Sequence, residues 1–313
     1  MAGKSDQRNI IRSLGLALVA VFALAICADI ANAQSQASCQ FTTFNRQLSI
    51  NGHTHVLVPR GVNDYNTVVG SDEDEASFIV RGFTRWSDGS LTYFRHDNFT
   101  DTVFTDRDNS GTDVGAAGPP TSLASADGVP FELKGSTFTA RAMTIGNTTY
   151  TKFTIWGTNR WGTTVGAFKD FSGKMHGFKS FSDGNAIALD FPGSAETAAG
   201  AINDSGTIVG TYSNHLAPNE WRHGFIYSNG KWATLDYPAT LQTTLSGISN
   251  GNLIVGTTIK GTTETGSFIY KNGTFKKIVL PNSNVPTYGR GVSPNKGLIA
   301  GFSGQTGFIA ACK

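Results

Sequence analysis

The sequence predicts an all-β protein, a six-bladed β-propeller of four-stranded repeats whose ring is closed by an N-terminal strand completing the last blade. Three observations predict it. A pattern Gly-apolar-Asn-x-x-Gly-x-apolar-Val-Gly recurs along the chain, Asn-Gly or Asp-Gly pairs separate β-rich runs within each unit, and the last unit stops one strand short.

The repeat comes first, because missing a period of this length misassigns the whole fold. The clearest copies run over 61–70 and 201–210, and those at 247–256 and 291–301 differ slightly in the turn. The copy at 157–166 is weaker, and the most degenerate contains Arg107-Asp108-Asn109-Ser110-Gly111. Their final glycines are Gly70, Gly115, Gly166, Gly210, Gly256 and Gly301, at intervals of 45, 51, 44, 46 and 45 residues. Units of 40–45 residues are the length of a propeller blade.

Within a unit the order is constant. The Asn-x-x-Gly turn leads into a β-rich run such as 207–212; a second run follows at 224–227 and a third at 232–237, ended by Pro238. Asn229-Gly230 joins the second run to the third; Asn272-Gly273, Asp88-Gly89 and Asp183-Gly184 do the same elsewhere. Such pairs are the strongest short-range hairpin signal, because they tolerate the positive φ angles of tight turns. The segment 244–248, leading into the next turn, makes a fourth strand. No stretch sustains a 3.6-residue apolar period, so little helix is expected.

The ends close the ring. Asn51-Gly52 followed by residues 53–59 matches 272–281 nearly position by position, so this segment is expected to complete the sixth blade. Closure removes the free sheet edges that invite aggregation. Cys39 and Cys312 stand near the two ends of the mature chain, and an exported protein meets oxidising conditions. A Cys39–Cys312 disulfide is therefore expected to pin the closing blade.

Export is read from the N-terminus. Lys4, Arg8 and Arg12 precede an apolar run at 14–26, and Ala31-Asn32-Ala33 supplies a small-x-small cleavage site, so residues 1–33 read as a signal peptide. Residues 34–313 remain as a single propeller domain without a later membrane span, expected as a monomer outside the cytoplasm, periplasmic or secreted. The signal carries three basic and two acidic residues, so the formal charge of +2 becomes about +1. A near-neutral surface lacks the basic footprint that nucleic acid requires.

His176-Gly177-Phe178 and His223-Gly224-Phe225 resemble the His-Ala-Phe triplet of the extracellular HAF repeats of bacteria, which likewise carry a Gly-Ile-Asn-x-x-Gly-x-Ile-Val-Gly pattern. The resemblance covers nearly all of the mature chain and is strongest from 157 onward. Arg81 and Thr306 replace the histidine in other copies, and Gly266-Ser267-Phe268 alters the triplet. The resemblance implies an extracellular or envelope-associated protein and implies no reaction.

Candidate sites are few. Asp106, Asp108 and Ser110 alternate before a glycine turn, as calcium ligands do; no glutamate stands at the twelfth loop position, and the segment aligns with the repeat's own turn. Otherwise no cofactor is expected. Asp72-Glu73-Asp74-Glu75 reads as a solvated loop. His53 and His55 share one strand face without an evident third metal ligand, and His176 and His223 read as repeated structural hydrogen bonds. No Gly-x-Ser-x-Gly, phosphate-loop, His-Glu-x-x-His or Cys-x-x-Cys pattern occurs.

Tyr65 and Trp161 occupy the same turn position where other copies carry Ser110 or Ser205, and flat rings at a turn tip suit stacking on sugars or partner surfaces. The sequence therefore favours a binding module over an enzyme, with a ligand over the central channel or on the face bearing Asn63, Asp64, Tyr65, Asn159 and Trp161. Envelope glycan or another exported protein is the expected partner. The competing reading is a polysaccharide hydrolase or lyase with carboxylates at the channel.

Overall fold

The computed structural model describes residues 35–118, 128–215, 222–238, 242–260 and 263–313. Among them every regular element is a β-strand, and these strands build six antiparallel blades. The inner strands are His53–Val62, Asp101–Arg107, Thr154–Thr158, Glu196–Ile202, Gln242–Ile248 and Tyr288–Val292. Each packs against the inner strand of the next blade, and the sixth packs against the first, so the ring is closed.

The repeat is explained by burial on both faces of each blade. Val68 and Val69, adjacent in the second strand of blade one, point to opposite sides; Val68 joins Leu57, Ala300 and Ile309 against blade six, and Val69 joins Phe104 and Phe131 against blade two. An alternating polar pattern would leave one seam unfilled, which is why consecutive apolar residues recur here. Six such clusters fill the six seams. The phenylalanine of each His-Gly-Phe-like triplet anchors one: Phe83, Phe131, Phe178, Phe225, Phe268 and Phe308 are all fully buried. Burying one such ring contributes about 1.5–3 kcal/mol.

The repeat's final glycine follows from the same contacts. An added Cβ on Gly166 would overlap the carbonyl oxygen of Thr154 and the ring of Phe178, and its counterparts in the other blades face the equivalent pair. Only a hydrogen side chain lets the inner strand and the aromatic ring meet there.

Closure occurs, but through a different segment. The sixth blade is completed by Cys39–Asn45, paired antiparallel with Thr306–Cys312, and the Cys39–Cys312 disulfide joins the ends of that pair. Residues 53–59, expected in that role, instead begin the inner strand of blade one; Gln47–Ile50 folds back on them through Asn51-Gly52 as a fifth strand. The hairpin signal was local and real, with φ of 53° at Asn51 and 82° at Gly52. Its sheet was decided by Gly61-Val62-Asn63, into which this strand runs without a break.

Two further differences are local. The 51-residue interval accommodates an extra hairpin, Met143–Ile145 with Thr148–Tyr150, whose Met143 fills the seam between blades two and three. Asp72, expected in a solvated loop, lies in a strand and is fully buried; its Oδ2 accepts bonds from His55 Nδ1 at 3.1 Å and Arg81 Nε at 2.5 Å.

Candidate functional site

Every inner strand carries a β-bulge at the same position, directly before the Gly-apolar-Asn motif or its equivalent. The residues displaced from pairing are Arg60, Thr105, Trp156, Gly200, Ser246 and Arg290. A bulge bends its strand and re-aims the unpaired residue; repeated six times around a ring, it produces a collar at the middle of the channel.

The collar divides the channel. Toward the Asn-x-x-Gly turns, a cavity of about 30 Å³ is lined by Asn159, Asn203, Asp204, Asn250 and Pro294. Toward the opposite face, a funnel of about 470 Å³ opens past Met175, Tyr212, Arg222, Leu245 and Ile259. Arg60, Thr105, Trp156 and Ser246 line both spaces and form the neck between them. The funnel lies within the volume range of small-ligand sites, whereas the smaller cavity has room for little more than a water molecule.

The funnel wall carries three arginines, Arg60, Arg222 and Arg290, and two glutamates, Glu196 and Glu264. Glu264 holds Arg290 through two contacts of 2.7 and 3.1 Å. Arg60 differs. Its guanidinium makes no hydrogen bond or ion pair among the described residues, and its Nε is buried without a partner. Burial and then the charge on Arg290 push its pKa down, with Glu73 and Glu264 opposing. Leaving a buried donor unsatisfied costs about 1–3 kcal/mol, more for a charged group. Trp156, half-buried, lines the same neck from blade three, and its indole N–H has no partner among the described residues. Among the described residues no histidine lines the funnel.

The turn face is built differently. Asn63 and Asn159 are buried, and their Oδ1 atoms accept the amides of Tyr65 and Thr67, and of Trp161 and Thr163, at 3.0–3.2 Å. Asp64 accepts Asn109 Nδ2 at 2.5 Å, Asn295 Nδ2 at 2.7 Å and the Lys296 amide at 2.8 Å. Burial opposes its charge, but the bonds from Lys296, Asn109, Ser293 and Asn295 together hold its pKa below the usual value. The same second turn position links Asn295 to Asn250, Asn250 to Asp204 and Asp204 to the Arg160 amide. These residues form a polar belt across successive seams, so Asn63, Asp64 and Asn159 hold turns and neighbouring blades together. Tyr65 and Trp161 do project from this face, being 64% and 58% exposed, and Trp161 Nε1 donates to the Asp204 carbonyl at 3.0 Å.

Of the expected calcium ligands, Asp108 accepts Ser110 Oγ at 2.8 Å and the Thr112 amide at 2.9 Å, as the turn requires. Asp106 instead reaches the Thr158 amide of blade three at 3.0 Å. Burial pushes the Asp106 carboxyl up to about 7 against two backbone hydrogen bonds. Among the described residues no group of three or more His, Cys, Asp or Glu is placed to hold a metal. His176 and His223 bond to Asp190 and Asp236 at 2.8 and 2.7 Å, each reaching a carboxylate that follows the neighbouring strand.

No family model and no curated protein matches the chain. Solved structures do. A provisionally assigned gluconolactonase matches with a TM-score of 0.50 at 12% identity, over 90% of this chain and 94% of its own. Virginiamycin B lyase from Staphylococcus aureus matches with a TM-score of 0.49 at 8% identity, over 88% and 99%. AofleA from Arthrobotrys oligospora gives 0.48 at 8% identity, over 89% and 88%. At these identities the likeness concerns the propeller fold alone.

The collar was missed by reasoning from sequence, although a signal existed. The position before Gly-apolar-Asn or its equivalent reads Arg, Thr, Trp, Gly, Ser, Arg in the six copies, a variable site inside an otherwise regular repeat.

Proposed function

We propose that this protein is an exported binding module that takes the end of a glycan, or a small sugar, in the funnel above the collar. The observation that supports it is Trp156: a half-buried indole with an unpartnered N–H at the floor of a funnel of about 470 Å³. Aromatic faces stack on sugar rings while polar neighbours fix orientation. Export rests on the N-terminal signal pattern, which lies outside the described residues; the disulfide and the lack of a membrane-spanning helix among the described residues are compatible with it.

A glycan array probed with the wild type, Trp156→Ala and Trp161→Ala tests the reading. Binding lost in Trp156→Ala and kept in Trp161→Ala supports the funnel. The reverse result moves the site to the turn face. A polysaccharide hydrolase or lyase is the second reading, favoured by Glu196, a funnel carboxylate without an ion-pair partner among the described residues. Turnover of an envelope polysaccharide, abolished in Glu196→Gln, would establish it.

A further inference from the structure

Among the described residues, the arginines that are at least partly buried have side-chain partners, with one exception. Arg46 donates to the Leu57 and Gly304 carbonyls, Arg81 to Asp72, Arg107 to Asp113 and Arg290 to Glu264. Arg60 stands at the neck of the channel with none. Of its two neighbours on the collar, Arg290 is held by Glu264 and Thr105 is small; Thr105 and Ser246, which line the same neck, donate their hydroxyls to the carbonyls of Ile155 and Arg290 and keep lone pairs free. No described residue bonds the Arg60 fork, yet the bulge aims it into the cavity.

We propose that Arg60 is a carboxylate subsite and that the funnel's ligand is an acidic sugar, a hexuronate or a glycan ending in one. This rests on the funnel being the sugar site. Guanidinium forks match carboxylates in two-point contact. The charge balance favours a monoanion over a phosphomonoester: Glu264 neutralises Arg290, and the remaining Arg60, Arg222 and Glu196 leave the funnel with a net charge of one positive. With the sugar ring against Trp156, a carboxylate on that ring falls to the same floor. The partial burial of Arg60 strengthens the contact, because a charged hydrogen bond is worth more where water is scarce.

Calorimetric titration of the full mature protein with D-glucuronate and D-galacturonate, against D-glucose and D-galactose, tests this. The wild type should prefer the uronates by about tenfold or more, the effect of a hydrogen bond to a charged group. Arg60→Gln should erase that preference while leaving neutral-sugar affinity within about twofold. Uronate affinity should fall with added NaCl in the wild type and not in the variant. If Arg60→Gln fails to fold, Arg60→Lys should keep the salt dependence and lose part of the preference. Equal binding of neutral and acidic sugars, or a preference that survives Arg60→Gln, overturns the carboxylate subsite and leaves the sugar reading standing. Binding of none of the four sugars, with no glycan captured on the array, overturns both.

Discussion

The disulfide offers the sharpest test of ring closure. Replacing Cys39 and Cys312 together with alanine leaves the seven antiparallel pairs between the first and last strands in place. What changes is the unfolded chain, which regains the freedom of a loop spanning 273 residues. The chain-entropy relation gives about 5–6 kcal/mol at 25 °C for a loop of that length. A domain of this size shifts its midpoint by about 2–4 °C per kcal/mol, so the variant should melt about 10–20 °C lower. Differential scanning calorimetry of the wild type, the double variant and the wild type in reductant measures it. The last two should coincide. A drop smaller than about 2 °C would refute the reasoning, because it would mean that the unfolded chain gains little from release of its ends.

Other expectations are equally specific. Gly166→Ala places a methyl against the Thr154 carbonyl and the Phe178 ring, and should lower stability by about 3 kcal/mol or more in urea titration. Arg60→Met removes an unpartnered buried donor and should leave stability unchanged or raise it by about 1–2 kcal/mol, a sign that the arginine is held for a ligand. Asp106 holds its proton up to about pH 7 in the fold, whereas the unfolded chain loses it near 4. Its contribution should therefore fall by about 1 kcal/mol per pH unit between those values, and Asp106→Asn should flatten that slope. Asp170, held down to about 2 chiefly by Ser172, acts the other way: its contribution is present above pH 4 and lost as acid protonates it in the fold.

The fold was largely legible because a blade is a local object. Asn229-Gly230 and Asn272-Gly273 turn with positive φ at both residues whatever lies elsewhere in the chain, and the consecutive apolar residues of the Val-Val-Gly strands mark both faces for burial before their partners are known. The candidate site was less legible. Asn63 and Asn159 caught attention because they recur, but recurrence marked their work in the turn. Arg60 and Trp156 share only a position that changes from copy to copy.

The number of blades, the order of the four repeating strands within a blade and the pairing of Cys39 with Cys312 were legible in the sequence, since each rests on short-range turn chemistry or on a two-member choice. Which N-terminal segment closes the ring, and which side chains meet at the channel, emerged from the packed ring. The collar residues lie about 45 residues apart and never touch in the linear pattern. They converge because six bulged strands are bent around one axis, and a strand's own residues carry no record of the neighbour it will face.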